Sequence, residues 1–191
     1  MPIHAQTDLT EEEMKRIQLV IKDFLVQSNH RELFETRIQK LIFYSEVYCV
    51  FHYDRRLTHA EYRPYMYGAF SPDVRIAIES LEGVKRRKTV IHGERTTGYS
   101  IKNHTGSVND DVREIIERVC DHVKNESTEN LAQFSKDSWL FENTEYDHPM
   151  NFSELNKALN AHNEIKKELG KQLPSRIDEV VPEENLVSLT R

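Results

Sequence analysis

Cysteine is scarce. Two residues, Cys49 and Cys120, in a chain of 191 cannot build a disulfide framework. Neither has a second cysteine or a histidine at metal-ligand spacing, so both read as small buried hydrophobes in a reducing compartment. Long apolar runs are missing too: nothing approaches the roughly 20 residues of a membrane span. The first residues, MPIHAQTDLTEEE, lack the apolar centre of a secretory leader, and the expectation is a cytoplasmic chain. Nor is there an excess of basic charge. Lys and Arg total 26 against 32 Asp and Glu, a net of -6, which argues against a dedicated nucleic-acid binder. There is no internal repeat and no low-complexity segment.

Catalytic signatures are equally thin. Nine histidines are present, yet no pair has the H-E-x-x-H or a similar metal spacing. His52 and His59 lie across a turn with no acidic partner at a set spacing. There is no G-x-S-x-G elbow, and neither cysteine sits at a helix start where its pKa would fall. Gly93 and Gly98 flank a hairpin and make no phosphate-cradling loop. Glu32, Glu35 and Glu46 project from one helix and read as a solvated face. The expectation is a non-enzyme with no cofactor and no metal.

What is present is a patterned helical domain. Hydrophobic content of 38% with 30% charged residues suits an ordinary globular protein, and the length suffices for one domain with a real core. Thr10 and Glu13 form a capping box that starts a helix at Glu11, with Met14, Ile17, Ile21, Phe24 and Leu25 as its apolar stripe and Ser28 to His30 as its end. A central helix is expected from Arg31 to His52. Ile38, Leu41, Ile42, Ser45, Tyr48 and Cys49 form one face, and Phe43, Val47 and Val50 between them make it apolar on most sides. Thr58 and Glu61 repeat the capping box, so a short helix is expected from His59 to a left-handed cap at Gly68. Ser71 and Pro72 open the next helix, which ends at Gly83. Val84 to Lys102 reads as a β-hairpin turning at Gly93-Glu94. Further helices start at Asn109, after Ser127, and at Ser153, the last running to about Lys171. The fold class is therefore mainly α: a compact multi-helix domain over residues 1–150 with one small β-hairpin, then a C-terminal helical extension and tail over 151–191.

Two segments are candidates for binding. The hairpin holds Lys85, Arg86, Arg87, Lys88, Arg95 and Lys102 against Glu94 alone, a local net of +5. One reading is a winged-helix-like wing on nucleic-acid phosphates; the other, which the acidic total favours, is a solvated edge kept from pairing by its charges. The aromatic group Tyr62, Tyr65, Tyr67 and Phe70 is the second candidate, since tyrosines beside a turn offer large area at low entropy cost. Its alternative is core filling, expected at least of Tyr67, which abuts Gly68.

At these residues the chain resembles a family. Lys40-Leu41-Ile42-Phe43-Tyr44 is similar to its K-L-[IVL]-Y/F-Y helix signature, and Tyr67-Gly68-Ala69-Phe70-Ser71-Pro72 to its Y-G-P-[FV]-x-P corner. Leu131 to Trp139 resembles its L-x-x-L-S/T-H-x-x-x-W element. The family is the SocA-like antitoxin group with its Panacea domain, and the likeness spans about Glu11 to Met150. Ala69 replaces a usual proline, and Lys136 stands where histidine is common, so no role of that histidine carries over. The resemblance implies a mostly helical domain that neutralises a toxin encoded beside it by binding it. One member of the family delivers its toxin to an ATP-dependent protease, and added segments often set partner choice. The segment beyond Met150, with Leu186 and Leu189 in its tail, is the natural candidate for that choice; the alternative is that its helix packs on its own domain. Lys40, Leu41, Tyr44, Tyr67, Gly68, Pro72 and Trp139 carry the family motifs, and of these Tyr44, Tyr67, Gly68 and Trp139 are expected to be structural markers more than contacts.

Overall fold

A computed structural model of the chain describes residues 7–91, 93–102 and 108–172, with side chains as far as residue 162. The first helix, α1 (Glu11–Gln27), starts as its sequence requires. Thr10 and Glu13 exchange side-chain and backbone hydrogen bonds, and three glutamates sit in the positive first turn. The chain then extends through β1 (Leu33–Phe34) and enters the central helix α2 (Glu35–Tyr53). The helix thus starts four residues later than its apolar pattern suggests. Leu33 and Phe34 pair antiparallel with Tyr99 and Gly98, and a two-residue strand has no periodicity to reveal it.

Helix α2 is wrapped on all sides. It is packed by α1, by α3 (Pro72–Glu79), α4 (Asp110–Val123), α5 (Thr128–Lys136) and the long α7 (Phe152–Gln172), and twelve of its nineteen residues are buried. Ser71, Asn109 and Ser127 cap α3, α4 and α5 as their sequence positions indicate. For α7 the capping acceptor is Asn151, which takes the N–H groups of Ser153 and Glu154, so the helix starts before the serine that was expected to cap it. The hairpin β4 (Lys85–Ile91) and β5 (Glu94–Ser100) forms with its turn at Gly93, and β1 joins it as a third strand in the order β1-β5-β4.

The stretch from Thr58 to Phe70 is not the helix that its capping pattern suggests. It contains a second hairpin, β2 (Arg63–Tyr65) with β3 (Gly68–Phe70). The capping signals are spent elsewhere. Thr58 gives its hydroxyl and N–H to Glu46, and the Glu61 N–H goes to Asp73 at 2.8 Å. Glu46, read from sequence as part of a solvated face, is fully buried. Its carboxylate also accepts the Leu57 N–H at 2.8 Å and pairs with Arg56 at 2.8 Å. Arg56 in turn lies over the Phe152 ring at 3.7 Å and donates to the Ala60 carbonyl. One buried carboxylate therefore shapes the loop that leads into β2.

Phe152 and Leu155 complete the core beside Phe43 and Tyr62, so the first turns of α7 pack on the domain. Leu159 also lies against it. A truncation that spares the core has to begin beyond Leu159.

Removing the Glu46 carboxylate leaves a partly buried guanidinium and two buried backbone donors without their acceptor. We expect Glu46→Ala to lower unfolding stability by about 3–5 kcal/mol in urea titrations, and Glu46→Gln, which keeps part of the acceptor set, to cost less. A loss below 1 kcal/mol for the alanine variant contradicts this role.

Candidate protein-binding surface

The residues of the helix signature converge on the β2–β3 hairpin. Pro64 stands opposite Ala69 and has no N–H to offer. Both backbone groups of Ala69 are instead taken by side chains from neighbouring helices. The Lys40 ammonium, on α2, donates to its carbonyl at 2.6 Å, and its N–H donates to the Ser135 hydroxyl, on α5, at 3.2 Å. The next residue but one is held in the same way, with Gln39 donating to the Ser71 carbonyl at 2.9 Å and accepting the Ser71 N–H at 3.0 Å. Tyr44 ties α5 down, its hydroxyl donating to the Leu131 carbonyl at 2.8 Å.

Gly68 has two reasons to be glycine. Its φ of +84° is left-handed, and a Cβ there would run into the Ser135 hydroxyl and come within 2.7 Å of the Ala132 carbonyl. The left-handed backbone expected at this residue is present, at the end of a hairpin turn instead of a helix cap.

The hairpin so anchored presents Met66 and Tyr67 at its tip, 57% and 65% exposed. Tyr67 is therefore at the surface, not in the core as its neighbour Gly68 suggested. The turn geometry explains the difference: Gly68 faces α5 while the residue before it faces out. The aromatic surface continues sideways. Tyr65 lies 5.5 Å from the Phe70 ring and stacks on Tyr146 at 5.8 Å and 21°. Tyr146 is held there by the loop after α6 (Trp139–Glu142), because the Asp147 N–H bonds the Pro64 carbonyl at 3.2 Å and the Met150 N–H bonds that of Tyr62 at 2.7 Å. Arg63 adds an ionic strut to Asp147 at 3.6 Å and to Glu61 at 2.7 Å.

Of the residues singled out in sequence, Tyr65 and Phe70 belong to this surface. Tyr62 does not: it is fully buried against Phe43 and Phe152, so it fills core. Leu186 and Leu189 lie outside the described residues. Leu41 is buried, Pro72 opens α3, and Trp139 packs partly buried against the core, all as structural parts of the fold. Met66 and Tyr146 were missed. A methionine between two tyrosines, where a turn ordinarily has Gly, Asn or Asp, was the signal available for the first. Tyr146 is 81 residues from Tyr65 and had none.

The basic hairpin is partly committed to the fold. Arg86 donates to the Leu81 carbonyl at 2.6 Å and to that of Glu79 at 3.2 Å, at the end of α3, and Arg87 pairs with Glu32. Lys85, Lys88 and Arg95 are exposed. Cys49 is buried and Cys120 half-buried, and burial pushes both thiols up to about 12, so neither offers a thiolate near neutrality. Among the described residues no three His, Cys, Asp or Glu side chains are grouped to hold a metal ion, and no helix is long and apolar enough to cross a membrane.

Lys40 carries a direct consequence. Burial, with Lys136 nearby, lowers its ammonium from the ordinary 10.5 to about 7. Between these values the unfolded chain holds a proton that the folded chain has released, so stability attributable to this group rises with pH from about 7 to about 10 and is flat below. We expect that rise in the urea midpoint of the wild type to be absent from Lys40→Met. Parallel pH profiles for the two proteins contradict it.

The comparisons with known proteins agree with the resemblance carried by these motifs. No curated protein and no solved structure matches the chain. The family model described as antitoxin SocA-like, Panacea domain, matches residues 38–140. That match takes in the helix signature, the glycine corner of the β2–β3 hairpin and Trp139, and covers just over half of the sequence; the chain belongs to the SocA-like antitoxin family with a Panacea domain.

Proposed function

We propose that the chain is a cytoplasmic, non-enzymatic antitoxin that neutralises a cognate toxin by direct binding, and that it grips the toxin with the tip formed by Tyr65, Met66, Tyr67 and Tyr146. The observation that carries this is the tip itself. Two large apolar side chains, each more than half exposed, stand on a two-residue turn that polar residues would fill at no cost. They stand on a backbone locked by Lys40, Gln39 and Ser135, so little ordering entropy is left to lose on binding. Tyrosine and methionine are enriched at the centres of protein interfaces.

The segment of α7 beyond Leu159 and the tail after it are the second part of the proposal, as the source of partner choice. Delivery of the bound toxin to an ATP-dependent protease is the finer form of the same mechanism. The alternative, a nucleic-acid-binding regulator using Lys85, Arg86, Arg87, Lys88 and Arg95, has less behind it, because Arg86 and Arg87 already serve the fold.

The test is calorimetry with the toxin encoded beside this chain. The double variant Met66→Ala, Tyr67→Ala is expected to bind about 30-fold or more weakly, a loss of roughly 2 kcal/mol or more, with an unchanged melting temperature. Unchanged affinity contradicts the tip as the contact. Affinity that instead collapses on removal of residues 163–191 moves the contact to the extension. Toxin half-life in the presence of an ATP-dependent protease, with and without the chain, separates delivery from simple sequestration.

A further inference from the structure

The outer edge of β4 serves neither the fold nor the aromatic tip. In the order β1-β5-β4 this strand is last, and it pairs with β5 alone. Its seven residues, Lys85 to Ile91, stay in unbroken register with β5, so the edge runs straight for about 23 Å. Ile91 pairs with Glu94 across the turn, and the pair that closes a two-residue turn exchanges both of its hydrogen bonds. The alternation that follows directs the backbone N–H and C=O of Arg86, Lys88 and Val90 away from β5. Among the described residues no strand meets them.

Edge strands are ordinarily blunted by shortness, a bulge, a proline or a covering element. β4 is long, has neither bulge nor proline, and exposes six of its seven residues. What it carries is charge of one sign, and the fold uses only part of that charge. Arg86 turns in to the carbonyls at the end of α3, and Arg87 pairs with Glu32, which reaches it across Gly98. Lys88 and Arg95 form no ion pair among the described residues, and Val90, opposite Arg95, is 61% exposed. The charge discriminates between occupants. A second copy paired edge to edge sets these cations against one another, and like charges facing across a ladder are unfavourable. A strand with carboxylates gains at the same positions, and its apolar residues cover Val90 and Ile91. We propose that the β4 edge is a docking site for an extended acidic segment of a partner protein, which adds to the sheet as a fourth strand through the free backbone groups of Arg86, Lys88 and Val90.

The probe is the amidated peptide GIVTETVEG with fluorescein at its N-terminus, written to run antiparallel to β4 with its glutamates opposite Lys88 and Lys85. One control peptide has lysine for each glutamate. A second is N-methylated on the three residues opposite Arg86, Lys88 and Val90, which keeps the side chains and removes the donors. Binding to the full chain is read by fluorescence anisotropy, and amide hydrogen exchange is followed in the 15N-labelled protein. Saturable binding is expected, with both controls about tenfold weaker or worse. The amides of Arg86, Lys88 and Val90 are expected to exchange freely in the free chain and to slow about tenfold or more with saturating peptide. Lys88→Glu is expected to weaken the peptide roughly fivefold with an unchanged melting temperature. No saturable binding, a control peptide that binds equally well, or binding that leaves those three amides unprotected each overturns the proposal. So does protection already present in the free chain and lost on dilution, which gives the edge to a second copy. A DNA duplex of about 12 base pairs that binds more tightly than the peptide at physiological salt also overturns it, giving the charge to nucleic acid.

Discussion

A polar group taken out of water must find a hydrogen-bond partner, and in this protein that constraint falls hardest on α2. The helix is packed on every side, yet it carries Arg37, Gln39, Lys40, Ser45 and Glu46 into the interior. Its backbone satisfies itself; these side chains cannot. Ser45 turns back to its own helix, donating to the Leu41 carbonyl. The others take their partners from the irregular backbone around them. Arg37 closes the end of α4, Gln39 and Lys40 hold β3 and the residue before α3, and Glu46 gathers the loop from Leu57 to Thr58. Half-buried Tyr44 does the same for α5. The helix is thus both the core of the domain and the template for its non-helical segments.

That arrangement divides the family motifs into a buried frame, Lys40, Tyr44 and Gly68, and one displayed residue, Tyr67. Lys40, Tyr44 and Gly68 touch no solvent-facing partner; they fix where the β2–β3 hairpin sits. What the hairpin then displays, Met66 and Tyr67 with Tyr65 and Tyr146, is free of that constraint, since no buried group depends on those side chains. We propose that the toxin is recognised there.

Much of the fold was legible. The capping residues of α1, α3, α4 and α5, the buried character of α2 and the basic hairpin all follow from local spacing. What was not legible is tertiary. Thr58 and Glu61 carry a valid capping pattern, and only the fold reveals that Glu46 and Asp73 outbid it for the same donors. Tyr62 and Tyr67 look alike in sequence, five residues apart beside a turn; one is core and the other is the most exposed of the large apolar side chains in the described residues. Which is which depends on Ala69 facing α2 and α5, a fact carried by Lys40 and Ser135 from far along the chain.

Native-state hydrogen exchange tests the central claim most directly. The amides of Leu57, Thr58, Ala69 and Ser71 lie outside the helices, and each donates to a side chain, from Glu46, Ser135 or Gln39. If α2 and its partners template these segments, the four amides exchange as slowly as the interior amides of α2 and open with them as one unit. Exchange at the rate of exposed loops, while α2 stays protected, contradicts the account.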